Sequence, residues 1–215
     1  YRQIMKYILW DWNGTLFDDF DICRYTIDKL LTDNGLPTLS SDEEYRRKFC
    51  FPITRFYKNL GLDFSKKPFE KLAVEYMDIY IPLSRDKKVC NLNKNAVETL
   101  SAFSKKGYRQ YIISASKADV LKSQVGSFGI EKFFAEIAGI GDIYAGSKAE
   151  IAIEWEKKNG VSPSDIVFIG DSLHDFEISS LLGCRCLLYT GGHQNIPESK
   201  GYEKINSLAK AVDLI

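Results

Sequence analysis

The 215-residue sequence has few of the residues that build metal-thiolate centres. It contains two histidines, and its five cysteines include no C-x-x-C pair, so we do not expect a zinc site. Neither sign of charge is in excess, because 29 basic residues balance 29 acidic ones. This balance gives no electrostatic reason to expect nucleic acid or an anionic membrane as a partner.

Long apolar runs are also missing. No run approaches the roughly 18 residues of a membrane-spanning helix, and the N-terminus lacks the pattern of a signal peptide. The odd number of cysteines is typical of a reducing compartment, so we expect a cytoplasmic protein. With 45% apolar and 27% charged residues, the chain has the composition of a globular protein and is long enough for one domain with an insertion.

A short apolar run at residues 7–10 ends on Asp11, and the turn pair Asn13-Gly14 follows. This pattern predicts a buried strand that stops at a turn. A carboxylate at the C-terminal end of a buried parallel strand lies at the edge where open α/β sheets bind ligands. Taken alone, Asp11 is equally well explained as a turn residue or a helix N-cap.

The segment that follows predicts four helices and no strand. Ser41 and Glu44 form a capping-box signal for the second helix, and Pro82 is predicted to end the block. The predicted helices lie at 20–34, from 41, at 53–60 and at 66–80. We therefore predict a helical domain at 19–85, inserted into a core domain made of 1–18 and 86–215.

From residue 93 onward, predicted helices and strands alternate. Such alternation indicates a parallel sheet with right-handed crossovers. The predicted fold is α/β, with a parallel-sheet Rossmann-like core and a small all-helical cap after the first strand. The predicted strands lie at 108–114, 135–139, 166–169 and 185–189, and the helices at 93–106, 117–128, 147–159, 173–182 and 207–214.

Chemically active side chains stand at four strand ends or helix starts of this pattern. In a parallel sheet such positions share one edge, so we expect the side chains to meet. Carboxylates are ligands for Mg²⁺, while an ammonium, a hydroxyl and helix N-terminal amides bind phosphoryl oxygens. The set therefore favours phosphoryl transfer over hydride or acyl transfer. Its members are Asp11, Ser114, Lys148, Asp171 and Asp175.

These segments together resemble the four motifs of the haloacid dehalogenase-like hydrolases. The resemblance lies in residues 11–18, the strand end at Ser114, Lys148 and residues 170–175, and their order and spacing match over nearly the whole chain. The helical block falls where the phosphoglycolate phosphatase-like branch carries a helical cap. The resemblance implies a Mg²⁺-dependent phosphatase that acts on a small phosphorylated metabolite, as a monomer or a homodimer.

The resemblance also implies a role for each acidic residue. Asp11 would be the nucleophile that forms an aspartyl-phosphate, which divides one displacement into two. It would also ligate Mg²⁺, together with Asp171 and the backbone carbonyl of Asn13. Asp175 would be a further acidic residue at the metal, bound directly or through water.

The remaining motif residues would hold the phosphate. By resemblance, Ser114 would donate a hydrogen bond to a phosphoryl oxygen, and Lys148 would neutralise charge between the phosphate and Asp11. The implied catalytic residues are Asp11, Asn13, Ser114 and Lys148. The implied substrate-binding residues are Gly14, Thr15, Ser114, Ala115 and Lys148.

Asn13 departs from the family pattern, which usually has an aspartate there as general acid and base. Such proton transfer contributes about 10²–10⁴-fold to a rate, and an amide cannot supply it. The enzyme would then be slow, or select good leaving groups such as acyl phosphates, or use another acid such as Asp18, Asp19 or a cap residue. A substitution introduced to stall turnover is a fourth explanation.

Two other functions remain open at this point. One is a phosphonate or haloacid hydrolase on the same fold, where a phosphonate enzyme would need a cap lysine such as Lys58; the metal carboxylates speak against a dehalogenase. The other is a binding or regulatory module that has lost turnover, which only Asn13 favours. The histidines, His174 and His193, are predicted to be outside catalysis. Candidate cap residues around a substrate are Arg47, Lys48, Arg55, Phe56, Tyr57 and Lys58.

Overall fold

The computed structural model describes residues 6–142, 144 and 148–215, and its elements follow the predicted order. The strands are β1 (Tyr7–Trp10), β2 (Phe17–Asp18), β3 (Asn91–Leu92), β4 (Arg109–Lys117), β5 (Phe134–Ile140), β6 (Ile166–Gly170), β7 (Arg185–Tyr189) and β8 (Glu203–Ile205). The helices are α1 (Phe20–Asp33), α2 (Asp42–Lys48), α3 (Ile53–Asn59), α4 (Phe69–Ser84), α5 (Ala96–Lys105), α6 (Ala118–Ser127), α7 (Lys148–Asn159), α8 (Leu173–Leu182) and α9 (Ala209–Leu214).

Six strands form one parallel sheet in the order β5-β4-β1-β6-β7-β8. The predicted first strand lies near its centre, between β4 and β6. Trp10 is level with Ile112 on one side and with Ile169 on the other. The residues that follow these positions therefore reach the same sheet edge, which confirms the predicted fold class.

The central strand is apolar throughout because helices cover both faces of the sheet. Its side chains alternate between two clusters of buried residues. Trp10 packs against Phe103 of α5, with ring centroids 6.1 Å apart. Leu9 faces the opposite side, in a cluster with Phe168 and Trp155 of α7. Because both faces of β1 are covered by apolar clusters, a polar side chain can reach the site only from the end of this strand.

Helices α1–α4 form the helical insertion that follows the first strand. The prediction that Pro82 ends this block was wrong, because α4 continues through Pro82 to Ser84. A proline past the first turn removes one i→i−4 hydrogen bond and crowds the preceding turn, and α4 ends two residues after Pro82. A membrane-crossing segment would need a longer and more apolar helix than any in the described part of the chain.

Three strands were missed by the sequence reasoning. β2 and β3 pair antiparallel where the chain enters and leaves the helical insertion, and β8 extends the main sheet. Two or three residues are too short to show a period-2 pattern. The domain division at 19–85 stays a prediction, and residues 1–5 of the predicted core lie outside the described residues, as does the predicted helix start at 147.

Candidate active site

Asp11 stands at the end of β1, where its backbone N–H donates to the Ile169 carbonyl at 2.8 Å and continues the ladder with β6. Asp11 is only 7% exposed. The Lys148 ammonium, at the start of α7, pairs with Asp11 Oδ1. The same ammonium lies 2.5 Å from Asp175 Oδ1. One buried lysine thus joins two of the predicted acidic residues.

Asp171 follows β6 and faces Asp11 across the sheet edge. The Thr15 hydroxyl lies between them, 3.3 Å from Asp11 Oδ2 and 3.4 Å from Asp171 Oδ1. Glycines let the backbone approach this carboxylate: a Cβ added at Gly14 would lie 2.3 Å from Asp171 Oδ2, and one at Gly192 would lie 2.1 Å from it. Side chains at either glycine would displace Asp171 from the site.

Asp175 is held differently from the other two carboxylates. Its Oδ2 accepts hydrogen bonds from the Ser172 hydroxyl at 2.7 Å, the Ser172 N–H at 3.0 Å and the Asp171 N–H at 3.2 Å. Its Oδ1 is held by Lys148. Both oxygens are thus used in fixing the turn before α8 and in orienting the lysine. A direct metal bond from Asp175 stays a prediction.

The three carboxylates together fit a hard divalent cation. Asp11, Asp171 and Asp175 each place one oxygen within 4.8 Å of the others, and all three residues are buried. Burial raises the pKa of Asp11 despite the Lys148 charge, and burial raises the pKa of Asp171 well above its usual value. A cation with oxygen ligands, such as Mg²⁺, would offset this desolvation. Asp11 and Asp171 are the residues best placed to hold it.

Ser114 and its neighbours line the same edge from β4. Ser114 is 1% exposed, and its hydroxyl accepts a hydrogen bond from the Ser116 N–H at 3.1 Å. The Ser116 hydroxyl donates to the Asn13 side-chain oxygen at 2.6 Å. The strand-end serines therefore contact the loop that follows Asp11, as the shared edge predicts.

The Asn13 amide belongs to a buried network that the sequence reasoning missed. Its Nδ2 donates to Asp19 Oδ2 at 2.7 Å and lies 2.8 Å from the Tyr80 hydroxyl. Asp19 also accepts from Tyr80 at 2.8 Å and from the Gly14 N–H at 3.0 Å. Asp19 is 1% exposed and ties the loop after β1 to helix α4 of the insertion.

His193 completes this network from the loop after β7. It is 4% exposed, its Nε2 lies 2.9 Å from Asp19 Oδ1, and its backbone N–H donates to Asp171 Oδ2 at 2.5 Å. Burial lowers the pKa of His193, but the Asp19 and Asp171 carboxylates outweigh it and raise this pKa to about 9. That His193 is outside catalysis stays a prediction, but its side chain forms part of the site's wall.

The His193–Asp19 pair makes stability depend on pH. The raised pKa means that the pair's contribution is complete below about pH 6.5 and is lost as the pH rises through about 9. We expect the free energy of unfolding to fall between about pH 7 and pH 9, by on the order of a few kcal/mol. Denaturant unfolding at both pH values measures it. An equal fall in the His193→Gln variant would contradict this assignment.

Few of the predicted cap residues reach the space above this edge. Phe56 and Tyr57 line a cavity there. Arg47, Arg55 and Lys58 are exposed instead. Lys48, the remaining candidate, pairs with Glu44 at 3.0 Å on its own helix. Long charged side chains on a helix surface usually remain in solvent, as Arg47, Arg55 and Lys58 do.

Comparison with known proteins agrees with this geometry. The profile of the haloacid dehalogenase-like hydrolases matches residues 8–189. The chain belongs to this family. Among curated members, a phosphoglycolate phosphatase of Vibrio vulnificus (strain YJ016) is 21% identical over 223 residues, which cover 100% of this chain and 97% of the relative. One from Haemophilus influenzae (strain 86-028NP) is 25% identical over 203 residues, 89% of each chain.

Solved structures of the haloacid dehalogenase-like fold superpose over nearly the full chain. A predicted phosphoglycolate phosphatase from Haemophilus somnus 129PT has a TM-score of 0.78 at 21% identity, covering 100% of this chain and 99% of its own. A family hydrolase from Streptococcus pneumoniae has a TM-score of 0.79 at 18% identity, covering 98% of both. These likenesses show the fold, and family membership makes the chain a hydrolase.

Proposed function

We propose that the protein is a Mg²⁺-dependent phosphatase that forms an aspartyl-phosphate on Asp11. One observation carries the proposal: the buried Asp11 carboxylate faces both a lysine ammonium and a second carboxylate at the sheet edge. A carboxylate held this way suits nucleophilic attack on a phosphorus atom that carries its own negative charge. The curated relatives named as phosphoglycolate phosphatases support the same reaction class.

Each residue then has a task that its contacts support. The Asp11 carboxylate attacks phosphorus and the bond to the leaving oxygen breaks; water then cleaves the aspartyl-phosphate and restores Asp11. Lys148 holds Asp11 Oδ1 and is itself held by Asp175, so the nucleophile keeps one orientation. Bound Mg²⁺ would supply positive charge for the phosphoryl oxygens. Ser114 would donate its hydroxyl hydrogen to one of those oxygens.

Asn13 limits which esters are cleaved quickly. Its amide is fixed by Ser116, Tyr80 and Asp19, and it has no proton to give to a leaving alkoxide. Acyl phosphates need no such proton, because a carboxylate leaves readily. We therefore propose that turnover is faster with good leaving groups. Asp19 accepts a hydrogen bond from Asn13, but it is a poor acid for other esters: although burial opposes its ionisation, His193 and its hydrogen bonds hold the pKa of this carboxyl below its usual value.

The alternatives receive less support. A phosphonate hydrolase with a Schiff base on Lys58 would need that amine near the site, but Lys58 is exposed and its Nζ lies 5.4 Å from the Phe64 ring centroid. A haloacid hydrolase needs no buried metal-binding carboxylates, whereas here the backbone at Gly14 and Gly192 packs directly against the Asp171 carboxylate. A binding module without turnover would keep the same network around Asn13, so only assays separate this alternative from a phosphatase.

Phosphate release measured with and without Mg²⁺ tests the proposal. We expect release from acetyl phosphate and from 4-nitrophenyl phosphate, faster with acetyl phosphate, and loss of both when EDTA replaces Mg²⁺. The reason is that three buried carboxylates with one lysine cannot accept a further anion without a cation. If neither compound is hydrolysed while phosphate esters still bind, the protein is a binding module instead.

A further inference from the structure

A cavity lies above the sheet edge, between the helical insertion and the core. Its volume is about 150 Å³. Asn13, Ala115 and Ser116 form its floor, directly after the strand ends that carry Asp11 and Ser114. Helices α1–α4 and the segments between them supply most of the remaining wall. A phosphate held at Asp11 would therefore direct its ester group into this cavity.

The wall is aromatic and aliphatic. Among the residues that the structure describes, neither a lysine nor an arginine lines it. Its ionisable residues include Asp19 and His193, and these two are already paired with each other. The aromatic part of the wall consists of Tyr45, Phe49, Phe51, Phe56, Tyr57, Phe69, Tyr76 and Tyr80.

Arg46, which follows the lining residue Tyr45 in the chain, has other partners. The Arg46 guanidinium stacks over the Phe20 ring at 3.8 Å from its centroid, and its Nε donates to the Gly192 carbonyl at 3.0 Å. The His193 side chain in the wall already pairs with Asp19, so an anionic group in the cavity would lose its water without gaining an unpaired cation. Burying an unpaired charge in such surroundings is strongly unfavourable.

An uncharged ring suits the same space. Burial of apolar surface contributes roughly 25 cal/mol per Å², and an apolar cavity of about 150 Å³ is known to accept one benzene molecule. The cavity's volume of about 150 Å³ therefore matches a single six-membered ring. Aromatic side chains add edge-to-face contacts to such a ring.

We propose that this cavity binds the leaving group of the substrate, and that this group is an uncharged apolar or aromatic ring. The substrate is then a phosphate monoester of a ring-bearing alcohol, and it carries neither the carboxylate of phosphoglycolate nor a second phosphate. This inference rests on the proposed phosphatase function. It separates the chain from the curated relatives whose names give phosphoglycolate as substrate.

The first measurement compares kcat/KM for benzyl phosphate and phosphoglycolate with Mg²⁺. Both release an alkoxide, so the missing acid at Asn13 affects them alike. We expect benzyl phosphate to be preferred by about tenfold or more, because only its ring is buried favourably. A preference for phosphoglycolate would overturn the inference and leave the phosphatase function standing.

Binding of non-hydrolysable analogues gives a readout that does not need turnover. Calorimetry with Mg²⁺ present compares benzylphosphonate with phosphonoacetate, which differ in a phenyl ring and a carboxylate. We expect benzylphosphonate to have a Kd about tenfold lower or better. Equal or reversed affinities would overturn the inference. If neither the phosphate esters nor acetyl phosphate is hydrolysed, the proposed phosphatase function is overturned, and the leaving-group assignment with it.

A matched pair of lysine variants tests the charge argument. Met77 of α4 lines the cavity, whereas Val74 of the same helix is 46% exposed and does not line it. Met77→Lys should shift the kcat/KM ratio toward phosphoglycolate by about tenfold, because a flexible stem can place an ammonium beside the carboxylate. Val74→Lys adds the same charge outside and should leave the ratio unchanged. An equal effect of both variants would overturn the inference.

Discussion

Replacing Asp11 by asparagine is expected to lower kcat by on the order of 10⁴-fold or more, the scale on which removal of a nucleophile or its partner acts. The Asp11 carboxylate attacks phosphorus to form the aspartyl-phosphate, and it is released again when water attacks that intermediate. An amide oxygen is a far weaker nucleophile. Asp11→Asn also removes a negative charge from the proposed metal site, where Asp171 remains.

The fold should survive this change. Asparagine has nearly the shape of aspartate, and Lys148 keeps its contact with Asp175 at 2.5 Å. Thermal unfolding should therefore show a folded Asp11→Asn protein. Asp21→Asn is the matched control, because Asp21 is exposed on α1 away from the carboxylate cluster. We expect that control to retain full activity.

The covalent intermediate gives a second readout for Asp11. Wild-type protein mixed with acetyl phosphate and quenched in acid should carry a phosphoryl group, located at Asp11 by peptide mass spectrometry. Asp11→Asn should carry none. Wild-type rates in Asp11→Asn, or a phosphoryl group on another residue, would rule out the proposed mechanism.

Replacing Asn13 by aspartate is expected to raise kcat for alkyl phosphates by about 10²–10⁴-fold, the usual contribution of a general acid. Hydrolysis of acetyl phosphate should change much less, because its leaving group needs no proton. The comparison of benzyl phosphate with acetyl phosphate in wild type and Asn13→Asp measures this difference directly.

The surroundings of Asn13 favour a protonated carboxyl in this variant. The amide nitrogen it replaces lies 2.7 Å from Asp19 Oδ2. Two carboxyl groups at this distance share one proton, and the pKa of one of them rises strongly. The new side chain would therefore be able to donate a proton near neutral pH.

Two further variants control this experiment. Asn13→Ala removes the amide without adding an acid, so it should not accelerate alkyl phosphate hydrolysis. Adding Asp19→Asn to Asn13→Asp removes the partner that keeps the proton in place, and the gain should shrink at neutral pH. If Asn13→Asp slows hydrolysis of both substrates equally, the prediction is wrong. The Asn13 amide would then be needed for the hydrogen-bond network, and another residue would already supply the acid.

The sequence predicted the core of the site because strand ends of a parallel sheet share an edge. Asp11 and Asp171 end strands that are neighbours in the sheet, so a linear pattern of strands and helices placed them together. The same reasoning placed Lys148, at the start of α7, at this edge. Each of these positions depends on local pattern plus one topological rule.

The network around Asn13 was beyond that reasoning. His193 lies 2.9 Å from Asp19 although 174 residues separate them, and Tyr80 reaches the same carboxylate from the insertion. Each residue looked like an ordinary loop or helix residue in its own segment. Their contact depends on how the insertion packs over the core, which no periodicity encodes.

Local apolar patterns and turn residues were enough to predict the alternation of elements, the helical insertion and the carboxylates at the strand ends. Tertiary structure decided which helix faces line the cavity, and it left the predicted cap cations Arg47, Arg55 and Lys58 in solvent. Apolar side chains close the space above the site because they gain from burial, whereas charged ones remain hydrated. We therefore propose that packing between the insertion and the core selects the substrate.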